Sequence, residues 1–144
     1  MNADLHTPVI KQYLEIKARH PNNFVFFRMG DFYELFFEDA VKASEILNLT
    51  LTTRGRSGGQ DVVLAGVPVN SATRYIKTLL NLGKSIAICE QIEDSKPGKG
   101  LVKREVVRIL TDGTIYDEEL MDDKNQKYIG AIDVDGGIVW CEVA

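Results

Sequence analysis

Residues 24–37 read Phe-Val-Phe-Phe-Arg-Met-Gly-Asp-Phe-Tyr-Glu-Leu-Phe-Phe and contain all six phenylalanines of the chain. Residues 24–29 are rich in aromatic and β-branched side chains, which predicts a strand. Gly30 permits a sharp turn, and after Asp31 the chain is expected to continue in extended form. The stretch therefore predicts two extended segments joined by a short turn.

Phe32 and Glu34 in this stretch combine an aromatic ring with a carboxylate. In an extended chain, side chains two residues apart project from the same face. A flat ring can stack on a nucleobase, and a neighbouring acceptor can read the edge of that base. The pattern alone also allows, and favours, a simpler interpretation, in which Phe32 is a core aromatic and Glu34 is an exposed charge or one near a sheet edge. The functional interpretation requires an exposed Phe32.

The remaining sequence alternates helical and extended patterns. Helices are expected from Pro8, after a cap at Thr7, to just before Pro21; over about residues 38–47; and from a cap at Asn70 or Ser71 to Gly83. Strands are expected over residues 49–53, 62–67, 85–92 and 103–110, with a turn over residues 111–114. This order predicts an α/β fold, in which helices pack around a mixed β-sheet.

The end of the chain predicts a β-hairpin from a second domain. Residues 128–134 and 138–143 flank Asp135-Gly-Gly137, which has the composition of a tight turn. Because an isolated hairpin is marginal in water, we expect the chain to continue in a longer parent protein. The predicted division is a first domain over residues 1–120 and a truncated second domain over residues 121–144.

The bulk composition indicates a globular protein that acts in the cytoplasm. Its residues are 44% hydrophobic and 26% charged, as in soluble domains. We find no secretory signal pattern, and no run approaches the roughly 18 apolar residues of a membrane span. Cys89 and Cys141 are expected to be buried, reduced thiols, and no cysteine–histidine pattern predicts a zinc site.

The charge distribution leaves room for a local basic surface. A net charge of −4 argues against binding nucleic acid by charge alone. However, residues 96–108 hold five basic side chains and one acidic one, whereas residues 112–123 hold six acidic side chains and no basic one. Two solvated surface segments explain this pattern equally well.

Arg54 and Arg56 are expected in a glycine-rich loop over residues 54–59. Arginine on such a loop can approach phosphates closely, and the backbone N–H groups can add further contacts. An ordinary surface turn has the same composition, so the pattern leaves both interpretations open.

Two patterns that suggest enzyme chemistry fail on spacing. Four carboxylates could form an acid–base or metal site, namely those of Asp31, Glu34, Glu38 and Asp39. They scatter around a helix start, where the helix dipole accounts for Glu38 and Asp39. Gly83-Lys84-Ser85 resembles the end of a phosphate-binding loop, but Thr78 replaces the required glycine and a strand follows instead of a helix. We therefore expect no catalytic residue, metal ion or cofactor in this chain.

The segment Arg28-Met-Gly-Asp-Phe-Tyr-Glu-Leu-Phe36 resembles the signature of the N-terminal mismatch-recognition domain of MutS, the bacterial DNA mismatch repair protein. Further blocks fall in the order of that family: Thr7-Pro8 with Gln12-Tyr13-Leu14, Leu51-Thr-Thr-Arg-Gly55, Leu64-Ala-Gly-Val-Pro68, Ala87-Ile-Cys-Glu-Gln91, and Val106-Val-Arg-Ile109 with Thr111-Asp-Gly-Thr114. The resemblance covers essentially residues 7–120, and the hairpin that follows resembles the opening of that family's connector domain.

The resemblance implies a role in reading mismatched DNA. It implies that Phe32 enters the minor groove and stacks on a mispaired or unpaired base, and that Glu34 hydrogen-bonds that base. Met29, Asp31 and Arg54 match positions near the DNA. It further implies a partner in double-stranded DNA with mismatches or small unpaired loops, and a homodimeric full-length parent. ATP and Mg²⁺ would bind to later domains of that parent, so this chain is not expected to be an ATPase.

Two other functions remain open. A small α/β enzyme would use the acidic cluster on a phosphate or sugar substrate, with metal-dependent turnover and a closed pocket around Glu34 and Asp39. A protein-interaction module would use an exposed phenylalanine to anchor a peptide or partner, and its binding would not depend on DNA.

Overall fold

A computed structural model describes residues 6–92, 100–114, 127–132 and 138–143. Within these residues, three helices flank a six-stranded sheet. The helices are α1 (Pro8–Arg19), α2 (Phe37–Leu47) and α3 (Ala72–Asn81), and the strands are β1 (Phe24–Met29), β2 (Phe32–Phe36), β3 (Thr52–Ser57), β4 (Gln60–Pro68), β5 (Ile86–Gln91) and β6 (Arg104–Leu110).

The strand order is β3-β4-β2-β1-β5-β6. The pair of β1 and β5 is parallel, and the other four pairs are antiparallel. The predicted α/β class and mixed sheet are therefore confirmed. Among the described residues, no helix is both long enough and apolar enough to cross a membrane.

The β1–β2 hairpin at the centre of this sheet follows the opening stretch of sequence. Met29 pairs with Phe32 across the two-residue turn, and Phe27 pairs with Glu34. Gly30 has a φ of +62°, a conformation that glycine adopts without steric cost. The backbone N–H of Val69 donates to the carbonyl of Asp31 at 2.9 Å, which ties this turn to the end of β4.

Both faces of β1 are covered, which explains its continuous hydrophobic sequence. On one face, Phe26 packs in a cluster that contains side chains of α2 and α3. On the other face, Phe27 packs in a second cluster, which contains Ile10, Tyr13 and Ile16 of α1. Cys89 of β5 is a buried free thiol in this second cluster, as predicted, whereas the side chain of Cys141 lies outside the described part of the chain.

The expectation of a strand over residues 49–53 and a loop over residues 54–59 was wrong. Strand β3 begins at Thr52 and continues to Ser57, with an irregular register between Thr53 and Arg56. The turn contains only Gly58 and Gly59, whose φ angles of +57° and +77° suit a two-residue hairpin. β3 is an exposed edge strand, so its side chains need not be apolar.

The C-terminal segments form strands β7 (Lys127–Ile132) and β8 (Ile138–Val143), which pair antiparallel. This agrees with the predicted hairpin. The turn predicted at residues 135–137, most of the acidic stretch and the boundary predicted at residue 120 lie outside the described residues.

Candidate nucleic-acid interface

Phe32 lies at the start of β2 with 44% of its surface exposed. By contrast, Phe36 on the same face of β2 is 3% exposed. The neighbours of Phe32 in the sheet are Met29 on β1 and Pro68 on β4, at the edge where all three strands reach a turn or an end. The pattern-based expectation that Phe32 belongs to the core was therefore wrong, and Phe32 is in neither of the two core clusters.

Glu34 projects from the same face as Phe32 but is half-buried. Its partners in the sheet are Phe27 on one side and Gly66 on the other. The Oε2 atom of Glu34 is shielded from solvent and has no hydrogen-bond partner. Burial raises the pKa of this carboxyl, and the positive charge of Arg54 partly offsets that rise. The expectation of a freely exposed charge was wrong.

A cavity of about 250 Å³ lies beside Glu34. Its walls are mostly apolar and come from the start of α1 and from strands β1 to β4, including Ile10, Phe36, Val62 and Leu64. Three side chains expected near DNA meet here, since Met29, Glu34 and Arg54 all line the cavity. Within the described residues, Glu34 and Arg54 form no ion pair.

The other predicted side chains take separate positions. Asp31 is exposed in the β1–β2 turn and does not line the cavity. Arg56 lines the cavity, and its guanidinium pairs with Asp61 at 3.4 Å and donates to the carbonyl of Gly59 at 2.7 Å. Arg54 is therefore the more available of the two arginines for an external anion.

The four carboxylates considered for catalysis do not converge. The Oδ1 of Asp39 pairs with Lys17 at 2.9 Å, and its Oδ2 accepts from the backbone N–H of Val25 at 3.0 Å. Glu38 forms an exposed ion pair with Lys42 on the same helix. The described residues contain no group of three or more side chains suited to holding a metal ion. Asp39 therefore connects α1, α2 and β1 and serves the fold.

A second polar network supports the hairpin on the face opposite Glu34. The hydroxyl of Tyr33 donates to Glu90 of β5, and Arg28 pairs with the same carboxylate at 3.2 Å. Burial and the bond to Glu90 raise the pKa of Tyr33 to about 12. On the face that carries Glu34, the guanidinium of Arg104 lies over the ring of Phe27 and donates to the carbonyl of Arg28 at 2.7 Å. These bonds fix the strand that carries Phe32 and Glu34.

Sequence reasoning missed one residue at this site, Gly66. A glycine inside a strand often marks the close approach of another group, and that signal was present in the sequence. Its meaning depends on which residue of the neighbouring strand stands opposite, and only the register shows that this residue is Glu34.

Most of the chain matches a known protein family. A sequence model of the family described as MutS domain I matches residues 7–119, which include all six strands of the sheet and the Phe32–Glu34 pair. That family is a DNA-binding domain for mismatch recognition. The chain belongs to the MutS domain I family.

Proposed function

We propose that this domain reads mismatched DNA with the ring of Phe32 as a wedge. The observation that carries the proposal is a large aromatic ring left 44% exposed at the end of a rigid sheet. An apolar wedge between base steps kinks the duplex at a cost of a few kcal/mol of unstacking per step. Because a mispaired or unpaired base is already poorly stacked, the wedge enters there at lower cost.

Glu34 is proposed to hydrogen-bond the base on which Phe32 stacks. The half-buried carboxyl has no hydrogen-bond partner at Oε2 within the described residues, so a bond to a base would not compete with one inside the domain. An anionic groove would raise the pKa of the carboxyl further. In its protonated form Glu34 could donate to a ring nitrogen. In its ionised form it would repel the phosphates of intact duplex. This lowers the affinity for fully paired DNA and so favours the defective site.

Arg54 is proposed to contact the phosphate backbone, with Met29 and Asp31 beside the wedge. Arg54 is exposed and unpaired within the described residues, and phosphate contacts fix the position of a protein on DNA without reading sequence. In a full-length parent, we propose a cytoplasmic homodimer whose ATP and Mg²⁺ bind in later domains, and no enzymatic role for the present domain.

The decisive experiment compares two duplexes of one sequence, one fully paired and one with a single mismatch or unpaired nucleotide. Binding of the chain is measured over a series of salt concentrations. Phe32→Ala should remove the preference for the defective duplex, whereas Leu82→Ala should retain it. Leu82 is a suitable control because it is an even more exposed apolar side chain, at the C-terminal end of α3.

Glu34→Gln separates the two effects of the carboxylate. If repulsion contributes, this variant gains affinity for the fully paired duplex. Loss of mismatch preference without such a gain would exclude repulsion.

Equal binding of both duplexes by the unsubstituted chain would contradict the proposed function, and DNA-independent partner binding would favour an interaction module.

A further inference from the structure

Gly66 occupies the interior of β4, between the buried residues Ala65 and Val67. Its φ angle is not in the left-handed region, which glycine adopts at a lower steric cost than other residues. A glycine in a strand interior also weakens the strand relative to a residue with a side chain. The backbone conformation therefore does not require glycine at this position, and the reason for its presence must be the space above it.

The carboxylate of Glu34 fills that space. A Cβ atom at residue 66 would lie 2.9 Å from Oε2, 3.2 Å from Oε1 and 3.3 Å from Cδ of Glu34. These three atoms are the nearest neighbours of the added carbon. On its other side, Glu34 faces Phe27, which is fully buried. The carboxylate can therefore pack against β4 at this position only because residue 66 has no side chain.

We propose that Gly66 is a positioning residue for mismatch reading, which holds the Glu34 carboxylate at a fixed, partly desolvated place beside the Phe32 wedge. The inference rests on the function proposed above and adds a residue that does not itself touch DNA. With alanine at position 66, the carboxylate must rotate away from β4. It then gains water and loses its fixed direction relative to the base.

The substitution should spare the fold. The atoms that have to move belong to the end of a flexible side chain, and no backbone atom is among the three nearest neighbours. Gly113→Ala is a matched control, because an added Cβ there meets nothing within 4 Å and the φ of Gly113 is ordinary.

The first test needs no DNA. The ¹³C signal of Glu34 Cδ is followed during a pH titration of the chain and of both glycine variants. Apart from Glu34, the charged side chains that line the cavity are Arg54 and Arg56, and both are unchanged in these variants. Gly66→Ala should lower the pKa of Glu34 towards its ordinary value, because the carboxyl is more hydrated. An unchanged titration curve in Gly66→Ala would overturn the inference.

The second test is a double-mutant cycle on the ratio of affinities for the mismatched and paired duplexes. Gly66→Ala should reduce this ratio by about fivefold to tenfold when Glu34 is present, and should leave it unchanged in a Glu34→Ala background. If Gly66 had only a structural role, Gly66→Ala would weaken binding to both duplexes equally, whether residue 34 is Glu or Ala. That result, or an undiminished ratio in Gly66→Ala, would overturn the inference. If the unsubstituted chain shows no preference, the proposed function fails instead, while the titration still tests the contact.

Discussion

Phe32 and Phe36 lie on the same face of β2, four residues apart, yet one ring is 44% exposed and the other 3% exposed. Phe36 packs against the ring of Tyr13 at 4.9 Å between centroids and belongs to the cluster under α1. The same strand therefore supplies one ring for stability and one that contributes little to it. The exposure of Phe32 is therefore not explained by packing.

The first prediction compares these two rings in thermal or urea unfolding. Phe36→Ala should lower the free energy of unfolding by about 3–5 kcal/mol, the usual cost of removing a buried ring. Phe32→Ala should change it by no more than about 0.5 kcal/mol, as for most surface substitutions. If Phe32→Ala lowers the free energy of unfolding as much as Phe36→Ala does, Phe32 is a core residue.

The second prediction concerns the pH dependence of stability at Glu34. Burial raises the pKa of this carboxyl above its ordinary value of 4.5, so the folded state holds the proton more tightly than the unfolded state. Its contribution to stability is then complete below pH 4.5 and is lost as the pH rises through the raised pKa. Glu34→Gln removes this dependence because an amide does not titrate.

The check is a pair of melting temperatures for each protein. Glu34→Gln should melt at a higher temperature than the unsubstituted chain at pH 7, and the two should converge as the pH falls towards 4. The opposite order at pH 7 would mean that the carboxylate has a stabilising partner in solution, contrary to its unpartnered Oε2.

The third prediction distinguishes two adjacent carboxylates on α2. Asp39→Ala leaves Lys17 without its ion-pair partner and the backbone N–H of Val25 without its acceptor. Because Asp39 is buried but Lys17 only partly so, the loss should be about 3 kcal/mol, at the lower end for a broken buried ion pair. Glu38→Gln removes only an exposed pair with Lys42 and should have no measurable effect on unfolding. Loss of a metal-dependent activity in Glu38→Gln, with stability unchanged, would instead support the enzyme alternative.

Much of this fold follows from local sequence, because its central elements obey local rules. The β1–β2 hairpin, the three helices and strands β5 and β6 all lie where periodicity, proline and glycine indicated. Strand β3 was misplaced because Gly55 is unfavourable in strands, whereas the pairing of Arg56 and Ser57 with β4 extends the strand past it. The Gly58-Gly59 pair is a hairpin signal that composition alone obscured.

The site was harder to predict than the fold, for a physical reason. The hydrophobic pattern assigns Phe32 to the core, whereas its place beside Met29 and Pro68, where the strands end, leaves it exposed. The resemblance to a known family drew attention to Phe32 and Glu34, but it gave no reason for Gly66. Cross-strand register, which pairs Glu34 with Gly66, depends on contacts between distant segments and is weakly encoded in either segment alone.

The fourth prediction tests Arg54, whose exposed guanidinium lines the cavity beside Glu34. If Arg54 contacts a phosphate, Arg54→Ala should weaken binding to paired and mismatched duplexes by similar factors and reduce the slope of log affinity against log salt by about 1. Arg56→Ala is the matched control, since Arg56 is already engaged with Asp61 and Gly59. An unchanged salt slope in Arg54→Ala would exclude a phosphate contact.

The same variant should raise the pKa of Glu34 further, because Arg54 is the positive charge that offsets its burial. The protonated form of Glu34 would then persist to higher pH, which would couple a phosphate contact at Arg54 to the base contact proposed for Glu34.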